Sequence, residues 1–179
     1  MVEIVNKENK VLRLIAKPVS IKEITSPKIQ KILRDMSEVL ASQDDGVALA
    51  APQIGQSLRI FVMSGSMLQK FIRQKGATSS AKESKNTPKD FVFINPEIIK
   101  LSKETKLMEE GCLSIRYLYG KTRRSSKATV RGYNERGELF ERGGSGLMAQ
   151  IFQHEVDHLN GVLFIDKAVD IEDMPPKEK

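Results

Sequence analysis

Apolar residues recur at helical spacing in two parts of the chain. Ile29, Ile32, Leu33, Met36, Val39 and Leu40 repeat every three or four positions and predict a helix over 26–41. Ser26 suits its N-cap and Pro27 its first turn, and Asp44-Asp45-Gly46 supplies the turn that ends it. A second helix is predicted over 145–159, stopped by Asn160-Gly161. There Leu147, Ile151, His154 and His158 share one face. Met148, Phe152 and Leu159 form a second apolar ridge, so this helix is expected to be buried. Between the helices the apolar runs are short. Residues 58–63, 91–94, 97–101, 104–109 and 162–165 read as strands, with Asn95-Pro96 stopping the second of them. Residues 127–133 and 138–142 read as a hairpin around Asn134-Glu135-Arg136-Gly137. The pattern predicts an α+β fold: short, mostly antiparallel strands wrapped around a central helix.

No repeat or linker divides the chain, so residues 1–169 are expected to form a single domain. Residues 74–89 are polar and low in complexity, as expected of a flexible surface insertion. Residues 170–179 are charged and proline-bearing, and a frayed tail is expected there.

Composition narrows the class. An apolar content of 40% and a charged content of 29% are those of a soluble globular protein. No apolar run approaches the roughly 20 residues of a membrane span. The start, Met1-Val2-Glu3-Ile4-Val5, lacks the basic-then-apolar pattern of a signal peptide. One cysteine cannot form an internal disulfide and suits a reducing compartment, so a cytoplasmic location is expected. The net charge of +6 is spread over the chain, with local groups in 70–89 and 121–127 and no aromatic interleaving. That argues against specific nucleic-acid recognition, although diffuse charge suffices for contact with a ribosome surface.

The chemistry concentrates in two short motifs that hold both histidines and the lone cysteine. His154-Glu155-Val156-Asp157-His158 on a helix places two imidazoles about 40° apart around the axis, so both point one way. Glu155 lies to the side, within reach of a metal-bound water. Buried neutral imidazoles need partners, and a metal is the simplest shared one. The third ligand can be the thiolate of Cys112, in Glu110-Gly111-Cys112-Leu113-Ser114, which leaves one position open for catalysis. It can instead be a downstream carboxylate such as Asp166, which would make a zincin-like endopeptidase in which Cys112 is dispensable. A closed structural site would need a fourth protein ligand such as Asp157, which is too close in the chain to His158 to serve easily. Asp157 is expected instead to hold an imidazole N–H.

Three segments together resemble the peptide deformylase family: Gly46-Val47-Ala48-Leu49-Ala50-Ala51-Pro52-Gln53, Glu110-Gly111-Cys112-Leu113-Ser114, and Gln153-His154-Glu155-Val156-Asp157-His158-Leu159-Asn160-Gly161. They stand in the family's order, and the likeness spans nearly the whole chain. The resemblance implies a single catalytic domain that removes the formyl group from the N-terminal formyl-methionine of newly synthesised polypeptides and releases formate. It implies that Cys112, His154 and His158 hold a divalent metal, usually Fe2+, for which Zn2+, Ni2+ or Co2+ can substitute. Water made acidic by the cation attacks as hydroxide, with Glu155 as general base and then acid. Gln53 and the backbone N–H of Leu113 are the implied oxyanion donors. Glu110 and Arg124 are grouped with the substrate-binding residues: the resemblance implies that Glu110 orients the site through hydrogen bonds and that Arg124 lies beside the substrate, although adjacent Arg123 leaves the register of the arginine open. Val47, Leu147 and Ile151 are expected to form the apolar pocket for methionine, with Ala48 in the wall along the peptide backbone. The chain departs from the family pattern at two places. Ala48 stands where glycine is usual, and Ile115-Arg116-Tyr117-Leu118-Tyr119 replaces an apolar residue followed by proline. Neither change touches a ligand or the general base.

Overall fold

The structure, a computed structural model, describes residues 2–74 and 89–175. Its first regular helix, α1 (Pro27–Ala41), is capped by Ser26, whose hydroxyl accepts the Ile29 N–H at 3.4 Å. The six periodic residues predicted to face inward are all buried. After α1 the chain makes a short strand β1 (Ala48–Ala50), a 3-10 turn over Ala51–Ile54, strand β2 (Ile60–Met63) and helix α2 (Gly65–Gln74). Strands β3 (Phe91–Leu101), β4 (Thr105–Gly111), β5 (Leu118–Ser125), β6 (Lys127–Tyr133) and β7 (Leu139–Ser145) follow. Helix α3 (Leu147–Leu159) and strand β8 (Val169–Asp173) end the described chain. The strands form two antiparallel sheets, one ordered β1-β2-β3-β6-β7 and one ordered β4-β5-β8.

Helix α3 packs against strands of both sheets, and the predicted α+β wrapping around a central helix is what the structure has. Phe61 of β2 stacks on Phe93 of β3 at 4.4 Å between centroids, and Phe152 of α3 meets Phe93 edge-on at 5.5 Å. Polar side chains also fasten α3 to the smaller sheet. Gln150 donates to the Glu109 carbonyl at 2.7 Å. Gln153 accepts the Ser125 N–H and donates to the Ser125 carbonyl, each at 3.0 Å. These buried amides take the place of backbone pairing where the helix crosses the hairpin.

The sequence-based expectations need correction at several points. Asn95-Pro96 does not stop β3, which runs on to Leu101 through a bulge. Asn95 adopts a φ of 51° there, and its amide pairs in both directions with the Val19 backbone at 2.7 and 2.8 Å. The segment 162–165 is not a strand. It leads into a 3-10 turn over Phe164–Asp166, with Leu163 and Phe164 buried against Leu12 and Ile115. Residues 170–173, expected in a frayed tail, belong to β8 and pair with β5. Most of the insertion expected over 74–89 lies outside the described residues.

Candidate active site

Helix α3 carries His154 and His158 one turn apart, with ring centroids 4.8 Å from each other. Strand β4 ends at Gly111, and Cys112 follows at once, its Sγ 3.2 Å from Nε2 of His158. The ligand atoms of Cys112, His154 and His158 all lie within 4.8 Å of one another. A thiolate and two imidazoles at this spacing fit a tetrahedral divalent metal, whose bonds of about 2.0–2.3 Å set donors roughly 3.5 Å apart. Nδ1 of His154 is engaged by Glu110 Oε1 at 2.6 Å, which leaves Nε2 free to ligate. Nδ1 of His158 is buried without a partner among the described residues.

Behind His154 lies a chain of buried charges. Arg124 forks onto Glu110, with Nε to Oε2 at 3.0 Å and Nη2 to Oε1 at 2.6 Å. Its third nitrogen, Nη1, donates to Asp157 Oδ2 at 2.6 Å, and Lys167 closes the chain on Asp157 at 3.0 Å. Burial alone would push the Glu110 carboxyl up, but the hydrogen bonds from His154 and Arg124 outweigh it and hold Glu110 at about 2. Burial likewise works against a charged His154. Its bonds to Cys112 and Glu110 prevail and raise its proton affinity well above that of ordinary imidazole. His158 is pushed the other way, well below its usual range, by burial and by the neighbouring charge on His154.

Glu155 differs from Glu110. It is 3% exposed, its Oε2 has no partner among the described residues, and burial raises its carboxyl to about 7. It borders a cavity of about 340 Å³ that also reaches Cys112 and His154. Gln53 comes to this cavity from the turn after β1. Its Oε1 accepts the Ala50 N–H at 2.8 Å, which turns Nε2 toward Cys112 Sγ at 3.4 Å and Ser114 Oγ at 3.3 Å. Leu113 lines the cavity, and its N–H has no acceptor among the described residues. Val47, Ala48, Leu147 and Ile151 line it as well.

The structure thus gathers Gln53, Cys112, Leu113, His154, Glu155 and His158 in one place, and it places four others. Arg124, not Arg123, is the buried arginine, because β5 turns alternate residues inward. It lies behind Glu110 rather than on the cavity wall, paired with the carboxylate that holds His154. Glu110 lines the cavity, but both its oxygens are occupied by Arg124 and His154. Asp157 holds Arg124 and Lys167, not an imidazole. Asp166 is spent on Arg13 at 2.5 and 3.1 Å and is not among the converging ligands. Gln150 and Ser114 were not singled out from sequence. Gln150 stands one turn before His154, and that spacing on the buried helix was the available signal.

Comparison with known proteins agrees with this geometry. Residues 1–174 match the family model described as polypeptide deformylase. The chain is 43% identical to a peptide deformylase of Carboxydothermus hydrogenoformans, over 90% of this chain and 89% of that protein. Its fold is similar to the crystal structure of peptide deformylase from Thermotoga maritima, with a TM-score of 0.76, 37% identity, and 94% and 98% of the two chains covered. It is also similar to a Met-Ala-Ser-bound class I type b peptide deformylase from Acinetobacter baumannii, with a TM-score of 0.75, 31% identity, and 92% and 96% of the chains covered.

Proposed function

Because the chain belongs to the polypeptide deformylase family, metalloenzymes that deformylate the N-terminal formyl-methionine of new polypeptides, we propose specific roles for its residues in that reaction. Cys112, His154 and His158 hold the metal. When bound, the cation acidifies a water and polarises the formyl oxygen. Glu155, with one carboxylate oxygen free, takes the proton released on attack at the formyl carbon and passes it to the departing amine. Its raised proton affinity, near 7, suits a group that must both accept and return a proton at neutral pH. The amide of Gln53 and the N–H of Leu113 donate to the oxyanion.

Val47, Leu147 and Ile151 take the methionine side chain, which gains about 0.8 kcal/mol per buried methylene. Ala48 borders the path of the peptide backbone. The Acinetobacter relative bound to Met-Ala-Ser supports this reading, since that peptide begins with the free methionine the reaction would leave. We assign ferrous iron as the metal, with zinc, nickel or cobalt able to substitute, since a mixed N/S donor set accepts all of them. No described helix is long and apolar enough to cross a membrane. The lone cysteine fits the reducing cytoplasm, and the diffuse positive charge fits encounter with nascent chains at the ribosome surface.

One observation carries the reading: a buried carboxylate with a free oxygen stands beside a Cys-His-His cluster on a cavity edged by an oriented amide. An endopeptidase using Asp166 is disfavoured, because that carboxylate is committed to Arg13. The test is formate release from formyl-Met-Ala-Ser. It should stop with chelator, return with Fe2+ under argon, decay in air and persist in air with nickel. Cleavage of casein without formate release would overturn the assignment. Equal lifetimes in air and under argon would overturn the iron.

A further inference from the structure

Besides His154 and Glu155, the cavity is lined by four charged side chains: Asp45, Glu109, Glu110 and Arg116. Each is met by opposite charge. Glu110 is held by Arg124 and His154. Glu109 faces Lys121 across the β4–β5 ladder, and its charge acts on the Lys121 ammonium. Asp45 and Arg116 answer each other. Arg116 Nη1 donates to Asp45 Oδ2 at 2.7 Å and Nη2 to Oδ1 at 3.0 Å, with a further bond from Nη2 to Gln43 Oε1 at 3.1 Å.

The position of this pair matters more than its strength. Asp45 leads into β1 of the larger sheet, whereas Arg116 lies between β4 and β5 of the smaller one, four residues after the Cys112 ligand. The bidentate contact therefore joins the two sheets at the cavity. It is also open to a bound peptide, with the Asp45 side chain 54% exposed and that of Arg116 31% exposed. The contact holds Asp45 below the usual carboxylate range and raises Arg116 further, so both stay charged across the neutral range. Arg116 belongs to the Ile115-Arg116-Tyr117-Leu118-Tyr119 segment in which this chain departs from the family pattern.

Building on the deformylase reading, we infer that the Asp45–Arg116 pair is a specificity determinant. By cancelling charge on the cavity wall, it makes the site indifferent to the charge of the residue that follows formyl-methionine. Neither partner alone would do this. A lone Arg116 attracts an acidic side chain, and a lone Asp45 attracts a basic one. A bidentate guanidinium–carboxylate contact presents both signs at nearly one point, so its field falls off quickly toward a third charge.

The experiment compares kcat/KM on formyl-Met-Lys-Ser and formyl-Met-Glu-Ser. Each is divided by the same protein's value on formyl-Met-Ala-Ser, so a general loss of activity cancels. Wild type should treat the two charged peptides alike. Asp45→Asn should shift the ratio toward the Glu peptide and Arg116→Gln toward the Lys peptide, each by up to about fivefold, the upper end for a solvent-exposed ion pair. The swap Asp45→Arg with Arg116→Asp should return the ratio toward unity. If the single variants keep the wild-type ratio, or both shift it in the same direction, the inference is wrong. Calorimetric binding of Met-Lys-Ser and Met-Glu-Ser supplies the same ratios where turnover is lost. Failure of wild type to release formate from formyl-Met-Ala-Ser would instead count against the functional reading.

Discussion

Two regions of the site handle a buried carboxylate in opposite ways. On the β4–β5 side, Glu110 is 6% exposed and every one of its oxygens is claimed, by Arg124 and by His154. On the cavity side, Glu155 is 3% exposed, and one oxygen has no partner among the described residues. Burial is nearly the same, yet one carboxyl is held at about 2 and the other is lifted to about 7. Burial pushes both carboxyls up, and only at Glu110 do hydrogen bonds from His154 and Arg124 outweigh it. On the function proposed above, the first region would orient a ligand and the second would be left free for chemistry.

The comparison presumes a metal between the two regions, and Cys112→Ser attacks that premise with the largest expected effect. A neutral hydroxyl is a poor ligand for a soft-accepting site, so tight metal binding and nearly all formate release should be lost together. Normal metal content by elemental analysis would remove the shared centre on which the contrast depends.

Glu155→Gln tests the free side. It should keep its metal and lose turnover by about 10²–10⁴-fold, the usual weight of general acid–base catalysis. The variant also has a stability signature in metal-free protein. Glu155 titrates at about 7 when folded, against an ordinary 4.5, so the unfolded chain releases its proton first as pH rises. Wild type should therefore lose stability on the order of a few kcal/mol between pH 4.5 and 7, and Glu155→Gln should not. Glu110 has the reverse sign. Its contribution is intact above pH 4.5 and fades as pH falls toward 2. Parallel pH–stability curves for metal-free wild type and Glu155→Gln would erase the distinction.

Arg124→Ala tests the wired side and should act more mildly on activity. Weakened support behind His154 should reduce metal affinity by about 10–100-fold, the range for partners of metal ligands. Asp157 keeps Lys167 and Glu110 keeps His154, so losing the buried guanidinium should cost about 3 kcal/mol in denaturant unfolding, the lower end for breaking a buried pair. Unchanged metal affinity would mean that the ion-pair chain serves the fold alone.

Sequence made one of these regions more legible than the other. His154, Glu155 and His158 announce themselves because helical periodicity puts them on one buried element, and α1 and the β6–β7 hairpin were read for the same local reason. The wired side depends on pairing between distant segments. Strand β5 buries Thr122 and Arg124 and exposes Arg123, so no apolar alternation marks it. The β4–β5 register sets Glu110 opposite Gly120 and Arg124 opposite Lys106, so Arg124 reaches Glu110 only by extending its side chain along the ladder, a contact no local pattern announces. Asp157 was assigned to an imidazole because helix geometry places it near one. A strand not visible in the pattern supplied Arg124 and took it instead. Strand β8 is exposed along its whole length and charged at three of its five positions, so the short alternation of Val169 and Ile171 with Asp170 and Glu172 is outweighed by the polar, charged look of the tail.

The two glutamine amides that pin α3 to the β4–β5 hairpin bear on which ions the site can take. Cys112 rides on the hairpin and both histidines ride on the helix, so the ligand triangle depends on how the two elements are keyed together. A slip of one residue along a strand is about 3.3 Å, far beyond the roughly 0.2 Å tolerance of a metal–ligand bond. Gln150 on Glu109 and Gln153 on Ser125 fasten the helix near both ends of the hairpin. The elements that carry the donors are therefore keyed together by the polypeptide itself. On the proposed reading, ions of similar radius would meet the same donors, and choice among them would pass from the protein to whatever supply surrounds it.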